Sequence, residues 1–216
     1  MVSTSDKRKA LSAWSLLHGE YSVLCERYPG CACEDAEEIP GTHGPVDDDE
    51  RIVYVVRSKF DIDLKREKLP IGKRCLVKLF KTGLSHIRLE KVTDEELSDT
   101  MQTLYESALN QSDEYGGIVG IVETNASTWR SVLHEERRLC CVYDTPADQN
   151  EDLRFGRPAH CDVIFSSADY SEYDAQTKQQ IRTVIVAETD FYNRYLDIER
   201  FSGGKFAHLQ PAKRKQ

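Results

Sequence analysis

The sequence predicts an α+β fold: a central mixed or antiparallel sheet with packed helices and an N-terminal helical appendage. Three observations carry that prediction. Apolar runs of strand length, rich in β-branched and aromatic residues, recur at 52–56, 118–123, 139–143 and 163–165. Helical patterns separate some of these runs without the regular strand–helix–strand rhythm of a parallel sheet. An acidic, Pro-containing loop sets the first helical pattern apart from everything that follows. The predicted organisation is therefore an N-terminal helix at 1–30, an acidic loop at 31–50, an α+β core at 51–201 and a basic tail at 202–216.

Residues 6–28 read as a helix because Ala10, Leu11, Trp14, Leu17, Tyr21 and Leu24 recur at spacings of three and four, giving one apolar stripe. Tyr28-Pro29-Gly30 stops it. The following stretch, 31–50, holds eight acidic residues and no Lys or Arg. That composition predicts a solvated loop, mobile around Asp47-Asp48-Asp49-Glu50. Ile52-Val53-Tyr54-Val55-Val56 is nearly continuous in apolar character, as in a strand covered on both faces. A charged stretch leads to a second apolar run at 75–80, and Gly83-Leu84-Ser85 turns the chain toward Ile87-Arg88-Leu89.

The clearest helix follows. Thr93 and Glu96 form a capping box, each side chain satisfying a backbone N–H that the first turn leaves unpaired. Leu97, Met101, Leu104, Tyr105, Ala108 and Leu109 make its buried stripe. Gly116-Gly117 opens the strand at 118–123, and Asn125 or Ser127 caps a short helix through Trp129. After the strand at 139–143, Asp144-Thr145-Pro146 turns into a polar loop that delivers the chain to His160. Residues 174–201 favour helix, although Thr183-Val184-Ile185-Val186 fits a strand equally well.

Composition excludes some functions. The chain has 216 residues, 39% hydrophobic and 31% charged, with a formal net charge of -8. An acidic chain lacks the whole-surface basic footprint of a nucleic-acid binder. No apolar run approaches the roughly 20 residues that span a bilayer, and no apolar segment follows the charged N-terminus as a secretory signal requires. Seven cysteines, an odd number in a chain of this length, read as free thiols or metal ligands in a reducing cytoplasm. These features predict a cytoplasmic protein with no membrane contact.

Three constellations carry chemistry. Gly-Arg-Pro-Ala-His-Cys-Asp at 156–162 sets His160, Cys161 and Asp162 at a strand entrance. Alternation puts His160 and Asp162 on one face and Cys161 on the other, so His160 and Asp162 form a candidate acid/base pair and His160 is a poor base for Cys161. The competing reading is a histidine that pins the strand entrance beside a core cysteine. Cys25, Cys31, Cys33 and His43 offer thiolates and imidazole to a zinc ion, but Cys31-Ala32-Cys33 is one residue tighter than the usual ligand pair, and ordinary thiols are the alternative. Basic residues gather weakly at Lys59, Lys65, Arg66, Lys68, Lys73, Arg74, Lys78 and Lys81. Lys73 and Arg74, with Ser85 and Arg88, are candidate binding residues for an acidic partner or for phosphates, against the alternative of an ordinary decorated hairpin. Gly116, Gly117 and Gly120 precede or occupy a strand, so they form no phosphate loop. Cys140 and Cys141 read as core packing.

Phe80, Gly83-Leu84-Ser85, Arg88, the capped helix, the Gly-led strand and Pro158-Ala159-His160 together resemble small bacterial proteins of unassigned activity that share a Gly-Leu-Ser…Arg segment and a Pro-x-His strand start. The resemblance spans roughly 69–166 and implies no catalytic residues. The expected function is that of a non-enzymatic accessory protein that binds and regulates a protein partner, with a bacterial antiviral or CRISPR-associated operon as its setting. Its cofactor expectation is none, zinc at the cysteine set excepted. The alternative expectation is a hydrolase or transferase acting on nucleotides or nucleic acid through His160 and Asp162, with Ser85 and Arg88 contributing. That alternative needs those side chains in one cleft.

Overall fold

Strand alternation builds the molecule around one antiparallel sheet. The computed structural model describes residues 29–34, 43–57, 61, 77–80, 82–110, 117–145, 159–167, 173–191 and 193–209. The expected N-terminal helix, Cys25, Lys73, Arg74 and the end of the basic tail lie outside the described residues. Strands β1 (Arg51–Arg57), β2 (Leu84–Arg88), β3 (Ile118–Asn125), β6 (Cys140–Asp144), β7 (His160–Phe165) and β8 (Tyr195–Asp197) form the sheet in the order β6-β7-β2-β1-β3-β8. Every neighbouring pair is antiparallel. A separate two-stranded hairpin joins β4 (Leu133–His134) to β5 (Arg137–Arg138).

Helices cover both faces, which confirms the α+β class and settles the sheet as antiparallel. On one face Ile52, Tyr54, Val56, Leu84, Val122, Cys140, Val142, Cys161, Val163 and Phe165 pack against Trp129 of α2 (Ala126–Arg130) and Ile181 and Ile185 of α3 (Ala175–Glu188). On the other, Val53, Val55, Ile87, Ile118 and Ile121 pack against Leu97 and Met101 of α1 (Asp94–Asn110) and against Phe201, Phe206 and Leu209. This is why β1 reads as continuous apolar sequence: five consecutive residues, Ile52 to Val56, are buried. Each large side chain so covered is worth roughly 1.5–3 kcal/mol relative to exposure.

The capping box forms as expected. Thr93 N–H donates to Glu96 Oε2 at 2.8 Å, and Glu96 N–H donates to Thr93 Oγ1 at 3.2 Å. The short helix α2 follows Asn125 with no capping bond from the Asn125 side chain. Two boundaries differ from the sequence reading. Residues 77–80 of the second apolar run are helical. The C-terminal helix ends at Glu188, where Thr189 and Asp190 turn the chain, with Asp190 at φ 50°. The chain then returns as β8 instead of continuing helically to 201. Gly120 makes that return feasible: a Cβ there would sit 2.4 Å from the Leu196 carbonyl and 2.5 Å from the Tyr195 ring.

Candidate functional site

The register of β2 against β7 sorts the candidate residues onto two faces. Ser85 lies opposite Asp162 and Ile87 opposite His160, while His86 lies opposite Cys161. Residues directly opposite share a face, and successive residues alternate. Ser85, His160 and Asp162 are therefore together on one face, and Arg88, His86, Cys161 and Asp144 are on the other. The expected convergence of Arg88 with His160 is corrected by this arrangement.

Arg88 is wholly buried. Its Nε donates to Glu50 Oε1 at 2.6 Å and its Nη2 to Glu50 Oε2 at 2.8 Å, a bidentate pair. Its Nη1 donates to Asp144 Oδ1 at 2.8 Å and to the Gly44 carbonyl at 2.7 Å, and Nη2 reaches the Pro45 carbonyl at 3.2 Å. Burial works against the guanidinium charge, but the two carboxylates outweigh it and hold Arg88 above its ordinary pKa. Arg88 thus fastens the 43–50 loop to the sheet. The expectation of a solvated run at 47–50 fails for Glu50, which is 5% exposed, and holds for Asp47, Asp48 and Asp49, which are exposed even though Asp48 pairs with Arg130 at 2.7 Å.

The opposite face carries a directed chain of hydrogen bonds. Ser85 Oγ donates to Asp162 Oδ1 at 2.9 Å, and Thr145 Oγ1 donates to Asp162 Oδ2 at 2.7 Å. Because the Thr145 proton is committed to Asp162, its oxygen accepts from His160 Nδ1 at 2.9 Å, and the Thr145 carbonyl accepts from the same nitrogen at 3.0 Å. His160 then carries its proton on Nδ1 and leaves Nε2 as the basic nitrogen. Ser85 is exposed, the His160 side chain is 21% exposed and Asp162 is buried. The serine donates to the carboxylate and not to the imidazole, so this is no nucleophile–base arrangement.

His86 sits against the rings of Tyr54 and Trp129, with centroids 5.8 and 5.7 Å away. Its Nδ1 donates to the Leu84 carbonyl at 2.7 Å, and its buried Nε2 has no partner among the described residues. Burial lowers its pKa to about 4 despite the Leu84 bond. The Cys161 thiol is likewise pushed well above its ordinary value by burial.

The cysteines depart furthest from expectation. Cys31 is bonded to Cys141 across 110 residues of sequence, so not all the thiols are free. Cys33 is a separate buried thiol and His43 is exposed. Among the described residues the metal-capable group is Cys31, Glu34 and Cys141, whose ligand atoms lie within 4.8 Å of one another. Cys31 is the one residue this group shares with the expected zinc set. Glu34 was missed from sequence because nothing local marks it. Its carboxylate accepts from the Val142 N–H and from Arg138, and pairs with Arg130 at 3.3 Å. The Cys31–Glu34 turn thereby covers the outer edge of β6.

At the other end of the sheet, β8 has no further strand beside it among the described residues. The edge strand β8 borders a groove of about 370 Å³ with Leu89, Val92, Leu97, Leu196 and Phe201 among its walls and Arg51, Asp94, Glu123 and Arg200 as its charged residues. Bonds from Glu123 N–H to the Arg194 carbonyl and from Ile198 N–H to the Val119 carbonyl bracket Leu196, whose backbone groups face β3. Those of Tyr195 face away from it. Arg51 is held by Glu90 and Glu123, and Asp94 by Lys205, whereas Arg200 makes no ion pair among the described residues. No helix among the described residues is long and apolar enough to cross a membrane. No family model, curated protein or solved structure matches the chain.

Proposed function

We propose that this chain is a non-enzymatic accessory protein that regulates a protein partner by binding it. The observation that carries the reading is the groove beside β8. A groove that sets apolar side chains beside charges of both signs fits a protein interface, and an edge strand with outward backbone groups accepts an extended segment by strand addition. Leu196 is 38% exposed beside it. The occupant is an extended stretch of the partner, with an apolar residue for the Leu196–Phe201 wall and a carboxylate for Arg200. On the opposite side of the argument, the reactive residue types are spent within the molecule: Arg88 on Glu50 and Asp144, and both Asp162 oxygens on Ser85 and Thr145.

Leu196→Asp tests the reading, because it places a charge on the groove wall without touching the core. Affinity capture from the native host recovers a stoichiometric partner with the unaltered chain and loses it with L196D. A chain that stays alone under both conditions contradicts it.

A second reading, a hydrolase or transferase acting on nucleotides or nucleic acid, loses Arg88 to the other face of the sheet and rests on His160 and Asp162 alone. The Thr145 oxygens and Asp162 orient the half-buried His160 so that Nε2 is the base. Its test is turnover of nucleotide substrates by the unaltered chain and its loss in His160→Ala.

A further inference from the structure

The junction between the Cys31–Glu34 turn and β6 brings three candidate ligands, two cysteine sulfurs and one carboxylate, to one point. The Cys31 and Cys141 sulfurs and a Glu34 carboxylate oxygen all lie within 4.8 Å of one another, and the two cysteine Cα atoms are 5.3 Å apart. A tetrahedral zinc ion with sulfur at about 2.3 Å and oxygen at about 2.1 Å needs its ligand atoms roughly 3.5–3.8 Å apart. The three atoms therefore reach that arrangement once the sulfurs are no longer bonded, with little movement of the backbone. We propose that in the reduced protein Cys31 Sγ, Cys141 Sγ and the Glu34 carboxylate bind one zinc ion, with a fourth position left to solvent.

The surroundings of Glu34 support this independently of the sulfurs. Carboxylate ligands are held by outer hydrogen bonds that fix their direction. Glu34 has such bonds already: Val142 N–H and Arg138 hold one oxygen, and Arg130 lies 3.3 Å from the other. Charge also fits. Two thiolates and one carboxylate around a divalent ion leave one net negative charge, and Arg130 and Arg138 stand beside it to offset that charge. The chemistry is balanced by a dithiol reductant. The dithiol gives two electrons and two protons to the Cys31–Cys141 bond and becomes a disulfide itself; zinc then displaces the two thiol protons into solvent. The same contact between the turn and the β6 edge is thus held by a disulfide when oxidised and by zinc when reduced.

The test uses the whole chain. Protein is reduced with a dithiol, freed of reductant without air and titrated with cobalt(II) as a spectroscopic stand-in for zinc. One equivalent binding with thiolate-to-metal charge-transfer absorption, and displaced by zinc, is the expected result. The air-oxidised protein, which is folded but has no thiolates at this point, binds none. Cys31→Ser abolishes the absorption, Glu34→Gln, which removes a ligand, weakens binding by at least about tenfold, the least that losing an outer partner of a ligand costs, and Cys33→Ser leaves it unchanged. No binding by the reduced chain overturns the proposal. So does binding that survives oxidation, or binding that is lost in Cys33→Ser or His43→Ala, which would restore the zinc set read from sequence.

Discussion

Arg88 and His160 occupy adjacent strands one register step apart, yet they lead opposite lives. Arg88 is completely enclosed, and its five N–H donors meet carboxylates and carbonyls brought in from 44–50 and 144. His160 lies a fifth exposed, tethered by Nδ1 alone. The period-two alternation of a strand makes the difference: Ile87, not Arg88, lies opposite His160. Residues that look like one motif along the chain are, in space, a structural rivet on one face and a polar relay on the other.

Removing the rivet should have the largest effect. Arg88→Met leaves Glu50 and Asp144 as buried, uncompensated carboxylates, which costs about 3–5 kcal/mol. Urea unfolding should show that loss, and adding Glu50→Gln and Asp144→Asn to the same chain should recover part of it. An unchanged unfolding midpoint in the single variant would mean that the ion pair network is not held in solution.

His86 shares Arg88's face and predicts a pH dependence. It is neutral in the folded chain, with a pKa of about 4 against an ordinary value near 6.5. The unfolded chain therefore binds the proton more readily. Stability is complete above pH 6.5 and falls as the pH drops from 6.5 toward 4, by about 3 kcal/mol in total. Denaturant midpoints measured across that window check the slope, and His86→Leu should flatten it. The residue gains nothing from its orphaned Nε2, so its charge state, and not a lost bond, drives the effect.

A smaller perturbation acts at the far end of the sheet. Gly120→Ala drives a methyl into the Leu196 carbonyl and the Tyr195 ring. Overpacking of this kind costs about 1–3 kcal/mol, and here it is relieved by displacing β8. Partner binding should drop at least tenfold while the remaining sheet keeps its circular dichroism. Binding at full strength would place the interface elsewhere.

The smallest effect belongs to His160. Its replacement by alanine removes one part-buried N–H shared between two Thr145 oxygens, worth about 1 kcal/mol, and should leave partner binding intact. A drop of several kcal/mol in thermal or chemical unfolding would make His160 a structural pin and not a site.

Local signals in the chain account for what was legible beforehand. Thr93 and Glu96 announce a helix start because a capping box is complete within four residues. Ile52 to Val56 announce a two-sided strand because burial on both faces removes alternation. The pairing of His160 with Asp162 on one face followed from period two alone. What escaped depends on distance along the chain. Tyr195–Asp197 is three residues long, with too little pattern to outweigh the helix before it. Glu50 sits in an acidic run and looks solvated until Arg88, 38 residues away, reaches it. Cys31 and Cys141 are 110 residues apart, and only the folded sheet edge brings them together. Glu34 is one of eight acidic residues in its segment, distinguished by Arg130, Arg138 and Val142, which sequence does not place beside it.

In the proposed function, the partner is held by the β8 groove and not by the residues that look reactive. Parallel affinity capture with the unaltered chain, Leu196→Asp and His160→Ala tests it most directly. An equimolar partner should be retained by the unaltered chain and by H160A and lost by L196D. A partner lost by H160A and retained by L196D, or none bound by any of the three, would contradict it.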